Sequence, residues 1–291
     1  MKPAMRVRSP GLKSVRRSRL RGLIVAGSVV ALAAITSCSD SSNTLSSTSS
    51  SEPAIVLRFR GIPPLDTITA QQMSSVLKKR LAALDLSAAT VSIEGNELLV
   101  ALGDAAAEER AMIATRPGGL SFRPVLEVVG MTPPFDGSDA ITPVGQDDPT
   151  KEVTLSSRGS GRGTDGQELP APIYRLGPEL LNGSAIEDAT TGVNAGQWEI
   201  RPVFREGDKG IDTFNAAALT CNTGDLLCPT KQLAIVLDGI VLTAPTINES
   251  SFARDQIQIS GSFTEDEARE VAVALRFGSV PRTELVSVTR R

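Results

Sequence analysis

The sequence predicts an α+β fold, because short runs that are apolar at every second position, as in strands, alternate with helical segments that carry one apolar face. The run 55–60 has the strand pattern. The segments 69–72 and 264–267 both match the capping box that opens many helices, a Ser or Thr followed three residues later by Glu or Gln. Asp238-Gly239 stands between two apolar runs, which is a strong pattern for a β-hairpin turn.

Segment 54–128 predicts six elements in the order strand, helix, strand, strand, helix, strand. The apolar face of the first helix is formed by Met73, Val76, Leu77, Leu81 and Leu84. Gly95-Asn96 predicts a turn between the next two strands, and Asp104 is placed to cap the second helix. Pro117-Gly118-Gly119 ends that helix before a final strand at 120–128. This order is that of a ferredoxin-like unit.

Segment 175–289 repeats the order and predicts a second unit of the same kind. A strand pattern at 198–204 is followed by a short helix and by the two strands that flank Asp238-Gly239. Another strand precedes a helix that begins with the capping box at 264–267 and ends at Gly278, and a closing strand follows it. We therefore expect two ferredoxin-like units joined by the segment between them.

Segment 129–174, between the two predicted units, is rich in Gly, Pro, Ser, Thr and Asp and has almost no periodic apolar residues. A structureless loop of this length is uncommon inside a domain. The composition therefore predicts a flexible linker between the units, and a functional flap is the alternative.

Residues 1–37 predict a secretory signal peptide. The basic stretch Lys2–Arg21 precedes an apolar run of 14 residues, Gly22–Ile35. That run is shorter than the roughly 20 residues of a transmembrane helix, so an uncleaved signal anchor is the less favoured alternative. The tetrapeptide ITSC at 35–38 resembles the bacterial lipobox. The resemblance implies a lipid on Cys38, cleavage before it, and attachment to the bilayer at the outer face of the cytoplasmic membrane.

Residues 38–53 predict a flexible tether, since ten of the thirteen residues from Ser39 to Ser51 are Ser or Thr. With Cys38 assigned to lipid, Cys221 and Cys228 remain. In an oxidising compartment this pair is expected to form a disulfide. Two free buried thiols, or a metal site with two ligands, are the alternatives.

The composition excludes several functions. The chain has no histidine, which removes His-based triads and imidazole metal sites. Residues 38–291 hold 22 basic and 33 acidic residues, a formal charge of −11, which speaks against a nucleic-acid partner. No serine has a recognisable activating base, and the glycine runs lack the strand and helix of a phosphate loop. We therefore predict a protein that is not an enzyme and has no catalytic residues, no metal site and no cofactor.

Four stretches carry a resemblance to one protein family. They are VLKKRLAALDLSAATVSIEGNELLVAL from Val76, LLNGSAIEDAT from Leu180, QLAIVLDGIVLTAPTI from Gln232 and ISGSFTEDEAREVAVALRFGSVP from Ile259. Together they resemble the extracytoplasmic region of SecD, a subunit of the bacterial protein-export machinery, including its head subdomain. The segment from Cys221 to Cys228 departs from the family pattern. After residue 37 no apolar run is long enough to form the membrane helices that carry the family's proton-driven motor.

The resemblance implies a passive accessory binding module in protein export, with unfolded exported proteins or the Sec translocon as partners. The candidate contact is the hairpin at Asp238 and Gly239, beside which an extended peptide can pair with a sheet edge. The alternative for these two residues is a well-formed turn and nothing more. The alternative for the whole chain is a structural or ligand-binding lipoprotein of the cell envelope, unrelated to export.

Overall fold

The computed structural model describes residues 54–132, 147–158 and 170–290, which all belong to one compact unit. The predicted signal peptide (1–37) and the tether with Cys38 (38–53) lie outside the described residues. Helices and strands alternate along the described part, so the prediction of a mixed helix-and-sheet protein is confirmed.

The bounds of the elements are as follows. The helices are α1 (Thr67–Ala83), α2 (Glu108–Ala114), α3 (Ile211–Thr223) and α4 (Glu265–Phe277). The strands are β1 (Ile55–Gly61), β2 (Thr90–Glu94), β3 (Glu97–Leu102), β4 (Leu120–Thr132), β5 (Val153–Ser156), β6 (Ala171–Leu176), β7 (Leu181–Asn182), β8 (Ile186–Asn194), β9 (Gln197–Phe204), β10 (Leu233–Leu237), β11 (Ile240–Thr243), β12 (Ile259–Phe263) and β13 (Thr283–Arg290).

The first sheet is antiparallel and has the order β13-β1-β3-β2. Its inner face buries alternate residues of β1, which Leu57 exemplifies, against the apolar face of α1 around Leu77. Ala111 and Ala114 of α2 belong to the same core. The edge beside β1 is occupied by β13, the last strand of the described chain, with Ile55 opposite Arg290.

The second sheet has the order β11-β10-β4-β6-β5, with β7 paired to β4. Its central strand β4 pairs with β10 through residues 120–124 and with β6 through residues 125–132. A bridge between Ser157 and Val241 brings the two ends of the sheet together around a small apolar core.

The third sheet is β12-β9-β8, and α4 packs across β8 and β9. It shares the largest core of the described chain with α3 and with the first half of β4. Aromatic rings fill the centre: Phe214 lies 4.8 Å from Phe204 and 5.8 Å from Phe122 between ring centroids. The residues 211–275 therefore pack against a strand that stands far earlier in the sequence.

The two self-contained ferredoxin-like units are not confirmed. The strand predicted to complete the first unit, β4, pairs with β10 and β6 instead, and β13 takes the place beside β1. The strands predicted for the second unit are divided among all three sheets. In its described residues the segment 129–174, expected to be a flexible linker, contains the end of β4, the whole of β5 and most of β6. These segments are strands because their backbones pair with neighbouring strands, although their side chains show little apolar periodicity.

The capping predictions have different outcomes for the two helices. Thr264 and Glu267 form the expected box at the start of α4, since each side chain accepts a hydrogen bond from the backbone of the other residue. At α1, the cap is Asp66, whose Oδ1 accepts from Thr69 N at 2.8 Å. The predicted box at 69–72 therefore lies inside the helix, which begins at Thr67.

Candidate functional site

The hairpin at Asp238-Gly239 is present, as predicted from the sequence. It joins β10 to β11, and its two residues have the positive φ angles of +51° and +83° that a tight hairpin turn needs. Asp238 is half-buried, and its carboxylate accepts from Gly119 N at 2.7 Å and from Gly118 N at 3.0 Å. The side chain proposed to meet a partner is therefore committed to a loop of its own chain.

Arg80, on α1, lies beneath the same loop and is only 1% exposed. Its Nη1 donates to Ala114 O at 3.1 Å and to Arg116 O at 2.5 Å, and its Nη2 donates to Pro117 O at 3.1 Å and to Gly278 O. One guanidinium thereby holds the end of α2 and the end of α4 together.

Gly118 shows why this loop needs glycine. Its φ is +69°, and a Cβ atom there would lie 2.6 Å from Arg80 Nη2.

Burial lowers the pKa of Arg80 to about 10, opposed by the nearby charge of Asp238. Burial also raises the pKa of Asp238, opposed by the backbone N–H groups of Gly119 and Gly118 and by Arg80.

The hairpin forms part of the wall of an open cleft of ≈ 730 Å³, named here the hairpin cleft. Loop 117–121, residues 179–186, Arg205 and the end of α4 provide the other walls. Arg123 of β4 also lines it and is fully buried, with Nη1 donating to Lys151 O (3.0 Å) and Gly177 O (3.1 Å) and Nη2 donating to Asp148 O (3.1 Å). Arg123 therefore fixes the segment 148–151 beside the cleft.

The three arginines of this region were missed by the sequence reasoning. Arg80 had a recognisable pattern, because it falls on the apolar face of α1 between Leu77 and Leu84, where a charge is unexpected. Arg123 and Arg205 have no such pattern. Arg123 alternates with apolar residues along β4, and Arg205 directly follows the last residue of β9, so neither stands out in the sequence. Their positions at the cleft depend on the pairing of distant strands.

The remaining predicted site residues lie elsewhere. Cys221 lies in the last turn of α3, and Cys228 follows in the next loop. Both are fully buried, with their Cα atoms 4.9 Å apart and their sulfur atoms at bonding distance. The disulfide stays a prediction. Cys38 lies outside the described residues. In the part of the chain that the structure describes, no three acidic or cysteine side chains converge on a point that a metal ion could occupy.

Comparison with known proteins shows which family this chain is similar to. Residues 160–282 match the family described as the SecDF P1 head subdomain. The chain is 28% identical to the protein translocase subunit SecDF of Thermus thermophilus over 228 residues, 75% of this chain and 27% of that protein. The SecD subunit of Magnetococcus marinus is 26% identical over 212 residues, 72% of this chain and 37% of the relative. The resemblance to the extracytoplasmic region of SecD is confirmed.

Shorter and structural matches agree with this relationship. The SecD subunit of Syntrophobacter fumaroxidans is 53% identical over 51 residues, 18% of this chain and 9% of that protein. A solved structure of SecDF, described as a membrane component that enhances protein export, aligns with a TM-score of 0.56 and 23% identity over 80% of this chain and 98% of the other. The SecD-like fold is therefore shared, while the chain spans about a quarter to a third of the length of the SecDF and SecD relatives that match most of it. No helix in the described ranges is long and apolar enough to cross a bilayer.

Proposed function

We propose that this chain is an extracytoplasmic, SecD-like accessory module that binds unfolded segments of exported proteins near the Sec translocon. The observation that carries the proposal is the match of residues 160–282 to the SecDF P1 head subdomain. The relatives that support it are named as subunits of the protein translocase. Strands β2, β8 and β12 stand at sheet edges in the described chain, and an extended peptide can pair with such an edge without demanding a particular sequence.

The proposed binding is passive. A segment held outside the membrane is less able to slide back, and the bias grows as RT ln(1 + [L]/Kd). A tether that keeps the module close to the exit raises its local concentration. With weak binding this bias reaches about 1–3 kcal/mol, so the proposal needs no energy source and assigns no catalytic residue.

Binding to one secreted protein in its unfolded and folded forms tests the proposal. The sample is the full-length chain, because the fragment 175–289 lacks β4, the strand that pairs with β10. We expect the unfolded form, kept so by a destabilising substitution, to bind with a Kd from about micromolar to millimolar, and the folded form to show no measurable binding. Equal binding of the two forms would exclude the export role and favour an envelope lipoprotein unrelated to export.

We further propose that Cys38 carries the lipid that anchors the chain to the outer face of the cytoplasmic membrane. The lipobox-like sequence at 35–38 and the Ser-rich tether behind it support this assignment. Two acyl chains at about 0.8 kcal/mol per buried methylene give stable attachment, whereas one does not. The Cys38→Ser precursor should stay unprocessed. When its signal region is also removed, the Cys38→Ser protein should no longer be found in washed membranes. A variant that stays processed and membrane-bound would refute the assignment.

We also propose that Cys221 and Cys228 form a disulfide in the cell. Closing a loop of eight residues contributes about 2–3 kcal/mol in the chain-entropy description. Alkylation of the unreduced protein, unfolded directly from cell-envelope material, should label neither cysteine. Labelling of both residues by the alkylating reagent would show that the pair is reduced.

A further inference from the structure

An apolar loop follows α3 at residues 224–229 and is named here the leucine loop. Its Leu226 is 95% exposed, the highest value among the large apolar side chains that the structure describes, and Leu227 is 64% exposed. Leu219, in the second half of α3, is 52% exposed. Burial of a leucine side chain is favourable, so several leucines held in water close together in the sequence indicate a surface that contacts something apolar.

The backbone of the leucine loop is fixed by its own hydrogen bonds. Gly224 ends α3 in the left-handed conformation, with a φ of +69°, and its N–H donates to Cys221 O at 3.1 Å. The Oδ1 atom of Asp225 then accepts from Leu227 N at 2.9 Å and from Cys228 N at 3.3 Å. Cys221 and Cys228, on either side of the turn, are fully buried. The two leucines are therefore exposed because a defined turn presents them.

The sequence around the loop carries little charge, although the chain as a whole is acidic. Residues 38–291 have a formal charge of −11. From 213 to 230 the only charged residue is Asp225, and Lys231 follows with the opposite charge. Asp212, in the first turn of α3, lies at the other end of a helix of 13 residues. The leucine loop therefore adds little to the repulsion between the acidic chain and anionic lipid headgroups.

The size of the apolar patch decides what kind of partner it fits. The exposed uncharged residues between 219 and 230 are Leu219, Thr223, Leu226, Leu227 and Pro229. A stable protein–protein interface takes about 20–30 residues from each side, so this patch is too small for a second copy of the chain or for a folded partner protein. Two leucines on a fixed turn suffice for shallow insertion between lipid headgroups when the protein is already anchored nearby, because the anchor supplies a high local concentration.

The segment before β1 is long enough to let the leucine loop meet the membrane to which Cys38 is proposed to attach the chain. The 16 residues 38–53 span at most about 55 Å when fully extended. A compact unit of the length of 54–290 is about 45 Å across. A lipid on Cys38 therefore leaves every face of the unit within reach of the bilayer. We propose that Leu226 and Leu227 insert into the outer face of the cytoplasmic membrane and thereby hold the tethered protein on the bilayer in one orientation.

This inference rests on the lipid anchor proposed for Cys38, and the test keeps the two apart. The chain from Cys38 onward is coupled through the Cys38 thiol to a maleimide lipid in phosphatidylcholine vesicles. The tether then has its full length whether or not the cell adds a lipid. The other two cysteines are fully buried and do not compete for the maleimide. Leu226→Trp places a fluorescent reporter in the loop, and Trp198→Phe removes the one tryptophan of the wild-type chain.

Quenching by lipids that are brominated on their acyl chains measures contact between the reporter and the bilayer interior. We expect the emission of the Leu226→Trp variant to shift to shorter wavelength on coupling to vesicles and to be quenched by the brominated lipid. Adding Leu227→Ser should lower the ratio of inserted to free loop about tenfold, because it removes one of the two inserted side chains. The melting temperature should not change, since Leu227 is 64% exposed in the folded protein.

Ile68 provides the matched control, because it lies in the first turn of α1, away from the leucine loop in the sequence, and is 68% exposed. Ile68→Ser should leave the quenching of the Leu226→Trp reporter unchanged. A reporter placed by Ile68→Trp, again with Trp198→Phe, should show no quenching in the tethered protein.

The outcomes separate this inference from the lipid anchor. An unquenched Leu226→Trp reporter in the tethered protein would overturn the insertion, while processing of the precursor in cells still tested the anchor. Equal quenching of the Ile68→Trp reporter would show contact without a fixed orientation and would also overturn it. A shift of the emission that appears without vesicles and grows with protein concentration would show that a second copy covers the leucines instead. Quenching of the tethered reporter together with an unmodified Cys38 in the cell would refute the anchor and leave the membrane affinity of the loop in place.

Discussion

Two buried arginines hold the described chain together, and they do so in different surroundings. Arg80 is 1% exposed and Arg123 is 0% exposed, and the Nε of each lacks a partner. Arg80 donates to four carbonyls, one of them 198 residues away at Gly278. Arg123 donates to three, all within 54 residues. The first joins the ends of two helices, and the second fixes one edge of an open cleft.

The electrostatic surroundings differ in the same way. Burial lowers the pKa of Arg80, and the opposing charge is Asp238, itself half-buried in the adjoining hairpin. Burial also lowers the pKa of Arg123, but the opposing charges belong to Asp147, Glu179 and Asp148 at the cleft. The comparison indicates two uses of a buried guanidinium. Arg80, surrounded by protein, links two helix ends, whereas Arg123, whose neighbours contact water, forms part of the lining of the cleft.

Arg80→Met should give the largest loss of stability. It removes four hydrogen bonds to buried or half-buried carbonyls and leaves Asp238 without its nearby cation. We expect the free energy of unfolding to fall by about 3–5 kcal/mol, measured by urea denaturation. Lys79→Met, at the exposed neighbouring position, is the control and should change it by less than about 0.5 kcal/mol. A loss below about 1 kcal/mol for Arg80→Met would contradict the linking role.

Arg123→Met should cost less, about 2–3 kcal/mol, because it removes three hydrogen bonds and water from the cleft can solvate some of the freed carbonyls. Hydrogen exchange sharpens the comparison. The amides of Gly177 and Glu179, bonded to Pro124 O and Pro149 O, should exchange faster in this variant and not in Arg80→Met. Arg175→Met, on the exposed face of β6, is the matched control. Unchanged exchange at both amides would count against a local role for Arg123.

Asp238→Asn should have the smallest effect, and one that depends on pH. Because burial raises the pKa of Asp238 in the folded state, its stabilising contribution is complete below the ordinary value of 3.8 and is lost as pH rises through the raised pKa. The unfolding free energy of the wild type, relative to Asp238→Asn, should therefore fall over that window. Urea denaturation across a pH series measures it.

Asp66 provides the opposite control for that pH series. The hydrogen bonds from Thr69 lower its pKa, so its contribution is present above 3.8 and is lost as pH falls through the lowered pKa. The two aspartates should thus give pH profiles of opposite slope. Parallel profiles would show that the environment of Asp238 has been misassigned.

The elements that the sequence predicted well are those specified by neighbouring residues. Helix α4 with its capping box and the turn at Asp238-Gly239 depend on residues within one turn of each other, and both were found. The pairing of β4 with β10 and β6 was not predictable, because a strand of 13 residues with apolar positions throughout fits any partner sheet. The two short strands β5 and β6 were missed because Gly, Pro and Ser dominate their surroundings.

The candidate site shows the same limit. Its hairpin was predictable from two residues, whereas the cleft depends on side chains from β4, from Arg205 just after β9 and from α4, which only tertiary pairing brings together. Arg80 could have been singled out, since it interrupts the apolar face of α1. Arg205 could not, because an exposed arginine after a strand is typical of any surface.

The pairing of β1 with β13 has a consequence for how the molecule folds. Ile55 meets Arg290, so the first sheet cannot acquire its outer strand until the last strand has been made and has returned across everything between. Contacts of such sequence separation carry a large loop-closure entropy and are associated with slow folding. Until then β1 presents open hydrogen-bonding groups along one side, a state in which nascent chains are prone to aggregate or to be captured by chaperones.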